Sequence, residues 1–207
     1  MYSESELKSR VQCEIRTGEK LLTAPFLLSR FNEGTACDNP CAAALIRTRD
    51  SIGVKFAATG HLPKNGAKRD NEPTWATGDV IEFFFKPAGR IDYYEFHATP
   101  EQVRLQLNFP HGGIIRGVPY WKNICDCGLI VRTLSLSSDL WIGEMSIKLS
   151  AMNIPLKASA SPTAESARFC VSRYYYKNAM DAELSSHPTL TKPIGFHNPA
   201  RWETVAL

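Results

Sequence analysis

The chain has 207 residues, of which 43% are hydrophobic, 10% aromatic and 22% charged. This is the composition of a globular protein, and it excludes disordered, low-complexity and fibrous classes. Lys and Arg number 24 against 21 Asp and Glu, giving a formal charge of +3, and the basic residues are scattered along the chain. A nucleic-acid-binding surface is therefore not expected. No apolar stretch approaches the ~18 residues of a membrane helix, so no membrane span is expected either.

The length predicts a single domain over residues 1–207. Residues 1–38 are interpreted as an N-terminal arm packed on that domain, because the first twenty carry charge without clear periodicity. The N-terminus shows no basic region followed by an apolar segment, as a secretory signal would. We therefore expect a cytoplasmic location, or a periplasmic or secreted one if a leader was removed.

The first predicted elements form a hairpin. Two short apolar runs, residues 42–48 and 52–58, are separated by three polar residues, and Ile52, Val54 and Phe56 alternate with their neighbours. A period of two residues indicates a β-strand. The next stretch, residues 59–74, has almost no apolar residues and is predicted to be a long surface loop.

Further strands are predicted over residues 80–85, 93–98 and 103–109, where β-branched and aromatic residues are separated by turns. In the C-terminal half, strands are predicted over 129–136, 140–149 and 168–176, and residues 157–166 are predicted to form a loop. About eight to ten strands with almost no helical periodicity predict an all-β fold. The expected architecture is an antiparallel β-sandwich of immunoglobulin-like or jelly-roll-like type.

One acidic residue stands out on a predicted strand. Glu82 shares its face with Val80 and Phe84, and an acid between apolar neighbours must find a hydrogen-bond donor or a ligand hydroxyl. A buried structural acid and a ligand-contacting acid are both consistent with this pattern. Asp79 lies three residues earlier, on the opposite face of an extended strand, which argues against a glycosidase acid pair formed with Glu82.

No metal or catalytic motif is visible. The five histidines are not spaced as in known metal signatures, and the Cys37/Cys41 and Cys125/Cys127 pairs lack the two-residue spacer of structural zinc sites. Trp75 is different, since it ends a long polar loop just before a strand, where a ring can stand at the rim of a binding site. A lid on the hydrophobic core is the other interpretation of this tryptophan.

Five segments, in this order, resemble the strands and the closing motif of type 9 carbohydrate-binding modules and their relatives in the DOMON-like β-sandwich superfamily. These segments are Trp75 to Phe84, Tyr93 to Pro100, Trp141 to Ile147, Phe169 to Arg173 and Phe196 to Trp202. The resemblance spans roughly residues 40 to 205, nearly the whole chain, and the order of the segments is more specific than any one of them.

The resemblance implies a site in which two aromatic rings enclose a sugar while an acid and a basic residue contact its hydroxyls. In this chain the rings are Trp75 and Phe196, and the acid and base are Glu82 and His97. The resemblance adds Arg173 and His197 from the last two matching segments to the ligand-binding set. No cofactor is required, although some members of the family hold structural calcium.

The function implied is that of a non-catalytic carbohydrate-binding protein. Three alternatives remain open at this point. A DOMON-like haem or redox module would use Met or His ligands. A glycoside-acting enzyme would use Glu82 with a second acid, Asp79 or Glu144, within ~10 Å. A sandwich that mediates protein contacts through buried aromatics is the least specific interpretation.

Overall fold

The computed structural model of the protein describes residues 2–31, 33–154, 166–178, 181–188 and 195–207. Within this part of the chain there are one α-helix and thirteen strands, with short 3-10 turns between some of them. The helix, α1, is Glu4–Cys13. The strands are β1 (Lys20–Leu21), β2 (Phe26–Leu27), β3 (Ser29–Arg30), β4 (Cys41–Arg47), β5 (Ser51–Thr59), β6 (Val80–Pro87), β7 (Tyr93–Ala98), β8 (Arg104–Phe109), β9 (Ile130–Leu136), β10 (Leu140–Lys148), β11 (Ser166–Asn178), β12 (Asp181–His187) and β13 (Glu203–Ala206).

The strands form two antiparallel sheets, which confirms the predicted β-sandwich. Sheet A has the order β1-β4-β5-β10-β9, with β2 also paired to β4. Sheet B has the order β3-β12-β11-β6-β7-β8, with β13 also paired to β11. The predicted hairpin is β4 and β5, joined by a tight turn, and all the other strands predicted from residue 80 onward are present.

The main core lies between the two sheets. Phe56 and Trp141 of sheet A meet edge to face with ring centroids 4.7 Å apart, and both side chains are almost completely buried. Phe83, Phe85 and Phe96 contribute the facing side from sheet B. Because these residues alternate along their strands, every second residue of β6 and β7 is directed away from this core, to the outer face of sheet B.

The N-terminal segment contains a helix that the sequence did not predict. Helix α1 begins with a capping box in which Ser3 and Glu6 exchange side-chain and backbone hydrogen bonds. It buries Leu7 and Val11 against Ala44 and its neighbours on the outer face of sheet A. Two buried residues one turn apart make a weak periodic signal, which is why the hydrophobic pattern did not indicate a helix.

The residues that follow α1 add short strands to both sheets. β1 and β2 pair with β4 in sheet A, whereas β3 pairs with β12 in sheet B. The loop predicted over 157–166 falls mostly outside the described residues. In the part of the chain that the structure describes, no helix has the length and apolar character needed to cross a bilayer.

Candidate functional site

The outer face of sheet B is unusual because it is buried like the core. β6 directs Glu82 and Phe84 to this face, and β7 directs Tyr93, Glu95 and His97 to it, since alternate residues of a strand share a face. In the pairing of the two strands Glu82 lies opposite His97. Both strands are therefore buried on both sides, and their acidic and imidazole side chains lie in an apolar environment.

An open cleft of about 330 Å³ lies above this face. Such a volume is at the lower end of the roughly 300–1,000 Å³ found for small-molecule sites. Aromatic side chains dominate its walls, and two carboxylates line it on the sheet side. The wall rings come from Phe31, Trp75, Phe109, Tyr120, Tyr174 and Phe196. We call this space the outer-face cleft.

Trp75 is held at the cleft by a polar anchor in the loop before β6. The buried Asn65 side chain donates to the carbonyl oxygens of Thr74 at 2.8 Å and Asp79 at 3.1 Å, and its Oδ1 accepts from the backbone of Ala67. Trp75 then sits in a short 3-10 turn, half-buried, with its ring edge-on to Tyr120 at 5.0 Å. The loop predicted over 59–74 is thus fixed by hydrogen bonds rather than by apolar contacts.

Phe196 reaches the same cleft from the C-terminal segment. The indole N–H of Trp202 donates to the Phe196 carbonyl at 2.8 Å, which fixes the turn that carries the phenyl ring. The Phe196 ring packs edge-on against Phe31 at 4.7 Å and Tyr174 at 5.7 Å and is only 5% exposed. Trp75 and Phe196, distant in sequence, both line the cleft.

Three buried polar residues lie together on the sheet side of the cleft. Nε2 of His97 is 2.6 Å from Oε1 of Glu95 and 3.5 Å from Oε1 of Glu82. Nδ1 of His97 is hydrogen-bonded with the Thr74 hydroxyl at 2.7 Å, and Ser172 donates to Oε2 of Glu82 at 2.7 Å. Oε2 of Glu95 is buried and accepts no hydrogen bond from the residues that the structure describes.

Burial controls the protonation of this group. It raises the pKa of Glu82 and of Glu95, because a buried site disfavours the carboxylate; the His97 charge offsets part of this for Glu82, and the His197 charge does so for Glu95. Burial lowers the pKa of His97 and of His197. The Glu82 charge acts in the opposite direction on His97, and the Glu95 charge does so on His197. The site therefore favours neutral carboxyl groups and neutral imidazoles over a set of charges.

His197 lines the cleft beside Phe196. Its Nδ1 is hydrogen-bonded with the Tyr93 hydroxyl at 2.7 Å, and its Nε2 lies 3.6 Å from Oε2 of Glu95. Five of the six predicted ligand residues are thus brought together. Four line the cleft, and His97 lies directly against its two carboxylates.

Arg173 is the exception. Its neighbour Ser172 lies opposite Glu82 in the pairing of β11 with β6, so Arg173 lies opposite Ile81 and is directed to the other face of sheet B. There it is 1% exposed, donates to the Asn39 carbonyl at 3.0 Å and stacks on Tyr175. The structure does not bring this arginine to the outer-face cleft, so the contact implied by the resemblance is not available to it.

The proposed enzyme pairs are not formed. The Asp79 carboxylate accepts a hydrogen bond from the Tyr176 backbone at 2.9 Å and lies outside the cleft. Glu144 is on sheet A, where it pairs with Lys55 at 2.9 Å. Neither acid is placed to act with Glu82 on one glycosidic bond.

The buried carboxyl group of Asp79 predicts how the free energy of unfolding depends on pH. Burial raises its pKa to about 6, although the Arg173 charge acts in the opposite direction. A carboxyl group with a raised pKa in the folded state costs stability as the pH rises from its ordinary value, 3.8, to about 6, and the full penalty remains above that. Between pH 4 and pH 7, we expect the free energy of unfolding of Asp79→Asn to rise by up to ~3 kcal/mol relative to that of the original chain. Urea unfolding across that range measures this, and parallel curves for the two proteins would contradict it.

The haem alternative finds little support in the described residues. Met145 and Met152 lie in the core between the sheets and not at the outer-face cleft. His97 and His197 are the imidazoles near the cleft, and both ring nitrogens of each are close to protein polar groups.

Sequence reasoning missed several members of the site. Glu95 lies two residues before His97 and therefore shares its face, a signal that the alternation of β7 contains. Tyr174 shares the face of Ser172 in the same way. Tyr120 has no such signal, because it lies in a loop whose position at the cleft depends on tertiary contacts, among them its ring packing on Trp75 and its hydroxyl donating to the Asn71 carbonyl.

Comparisons with known proteins show that solved structures share this fold. No protein-family model matches the chain, and no curated protein matches its sequence. Among solved structures, a candidate carbohydrate-binding protein from Bacteroides uniformis aligns with a TM-score of 0.67 and 16% identity, covering 88% of this chain and 85% of that one. A family 9 carbohydrate-binding module from Caldicellulosiruptor kristjanssonii, solved in complex with glucose, aligns with a TM-score of 0.52 and 8% identity, covering 86% and 82%. The chain therefore has the β-sandwich fold of family 9 carbohydrate-binding modules.

Proposed function

We propose that the protein binds a carbohydrate, without catalysis, in the outer-face cleft. The observation that carries this proposal is the cleft itself, which has Trp75 and Phe196 in its walls and carboxylates on its sheet side. Flat rings can stack on the C–H faces of a sugar, while carboxylates accept hydrogen bonds from its hydroxyls. The fold shared with a module solved with glucose supports the same class of ligand.

The polar group explains how hydroxyls would be recognised. Oε2 of Glu95 is a buried acceptor without a partner among the described residues, and leaving such an atom unsatisfied costs about 1–3 kcal/mol. A hydroxyl group entering the cleft supplies the missing donor. Glu82 and His97 already have protein partners, so their role is to hold the acceptors in place and to take part in the same hydrogen-bond network.

Calorimetric titration tests the proposal. The full chain is titrated with glucose and with cello-, xylo- and manno-oligosaccharides at a fixed pH near neutrality. We expect saturable heat with at least one of these series. Absence of heat with all of them at millimolar sugar would overturn the proposal.

A further inference from the structure

Three side chains beneath the outer-face cleft have the chemistry of metal ligands. Glu82 from β6 and Glu95 and His97 from β7 each offer one ligand atom, and these atoms all lie within 4.8 Å of one another. All three residues are at most 3% exposed. The strand pairing explains their convergence, because Glu82 is opposite His97 and Glu95 is on the same face two residues away.

One of the ligand-atom distances already matches a tetrahedral site. Metal–ligand bonds of ~2.1 Å imply ligand atoms ~3.4 Å apart around a tetrahedral zinc ion. Nε2 of His97 and Oε1 of Glu82 are already 3.5 Å apart. Nε2 of His97 and Oε1 of Glu95 are 2.6 Å apart, as expected for a hydrogen bond, and must separate by about 0.8 Å to admit an ion with that spacing.

The types of ligand atom also point to a cation. Two buried carboxylates face one imidazole, and the described residues that line the cleft include no Lys or Arg. His197 also approaches them, with Nε2 3.6 Å from Oε2 of Glu95. That Glu95 oxygen is buried, and no residue in the described part of the chain donates a hydrogen bond to it. Buried carboxylates need protons or a metal ion to compensate them.

Residues around the three ligands hold them in a geometry suited to metal binding. The Thr74 hydroxyl lies 2.7 Å from Nδ1 of His97, which leaves Nε2 directed at the two carboxylates. Ser172 donates to the second oxygen of Glu82 at 2.7 Å. Outer contacts of this kind orient metal ligands and fix the histidine tautomer.

We propose that Glu82, Glu95 and His97 form a zinc-binding site at the base of the outer-face cleft. Two carboxylates and an imidazole suit a borderline ion such as Zn²⁺. They do not suit calcium, which takes six to eight oxygen ligands, so this cluster is not the structural calcium site that the family resemblance allows. Three protein ligands leave one position open, and Glu82 and Glu95 both line the cleft.

The test is metal binding by the full chain in the absence of sugar. After dialysis against a chelator, titration with Zn²⁺ is expected to show one ion per chain, and Co²⁺ is expected to give the visible absorption of a tetrahedral site. His97→Gln and Glu95→Gln are each expected to weaken Zn²⁺ binding by at least ~100-fold. Thr74→Val, which removes only the outer contact, is expected to weaken it by roughly 10–100-fold.

A matched control is His61→Gln, because the His61 side chain is exposed and far along the chain from the cluster. It is expected to bind Zn²⁺ like the original protein, and circular dichroism establishes that each variant is folded. Failure to bind one ion per chain would overturn the proposal. Equal affinity for Zn²⁺ in the original protein and in a folded Glu95→Gln variant would also overturn it. Since no sugar is present, either result leaves the carbohydrate proposal to its own test.

Discussion

Replacement of Trp75 by alanine is expected to weaken carbohydrate binding by at least ~30-fold, or ~2 kcal/mol, the loss typical of a central aromatic contact. The ring lines the cleft and is half-buried, and its edge packs on Tyr120 at 5.0 Å. The loop should stay in place without the ring, because Asn65 holds the neighbouring carbonyls of Thr74 and Asp79. Calorimetric titration of the variant with the best-bound sugar measures the effect.

The chain offers a matched control in Trp121. This tryptophan is 59% exposed and lies next to Tyr120, but it does not line the cleft. Trp121→Ala is therefore expected to bind sugar within about twofold of the original protein, and Trp75→Phe to retain part of the affinity. An equal loss in Trp75→Ala and Trp121→Ala would show that the cleft is not where the sugar binds.

Replacement of Glu144 by glutamine is expected to destabilise the fold by about 3 kcal/mol. Lys55 is 1% exposed, and its ammonium group contacts Glu144 at 2.9 Å, Glu19 at 3.0 Å and the Glu14 carbonyl at 2.6 Å. Removing one partner from a buried ion pair typically costs 3–5 kcal/mol, because the remaining charge is left uncompensated. Glu19 still faces Lys55, which places the effect at the lower end of that range.

The protonation of Glu144 agrees with this role. Burial alone raises its pKa, but hydrogen bonds from Lys55 and Arg16 outweigh burial and lower it below the ordinary value. A lowered pKa means that the carboxylate stabilises the fold above its ordinary pKa, 4.5, and that this stability is lost as the pH falls through the lowered value. The network therefore holds the segment after α1 on sheet A at neutral pH.

Urea unfolding of three variants checks this prediction. Glu144→Gln is expected to unfold at a lower urea concentration, and the double variant Lys55→Met with Glu144→Gln to recover part of the loss, because no charge is then buried alone. Glu33→Gln, at a site that is 59% exposed, should stay within about 0.5 kcal/mol of the original protein. A Glu144→Gln variant as stable as Glu33→Gln would contradict the account.

The strands that the sequence predicts are those whose side chains follow a simple rule. In β5 apolar side chains recur at every second residue, and β7 begins and ends at the residues that the sequence predicts. β12 was missed because it is mostly polar, although it pairs along β11 and its Ser185 and Ser186 are buried. Its position in the sheet depends on a neighbour and not on its own composition, which a single sequence does not display.

The site shows the same limit at the level of single residues. Motif order selected Trp75 and Phe196, which both line one cleft, and it also selected Arg173, which β11 directs to the opposite face of sheet B. A shift of one residue along a strand moves a side chain to the opposite face of the sheet. The pairing of β11 with β6 sets the register that decides on which face Arg173 lies. Glu95 was overlooked although the alternation of β7 places it on the face of His97, because both faces of this strand are buried and the sequence does not show which of them lines a cleft.

The most direct test of sugar binding in the outer-face cleft uses the four tryptophans of the chain as reporters. The four indole N–H signals are recorded by ¹⁵N NMR during titration with glucose or the best-bound oligosaccharide, and Trp75→Phe assigns the signal of interest. We predict a saturable shift of the Trp75 signal, with the signals of the core residue Trp141 and the exposed Trp121 unchanged. A saturable shift confined to Trp121, or no shift with any sugar, would contradict the proposal.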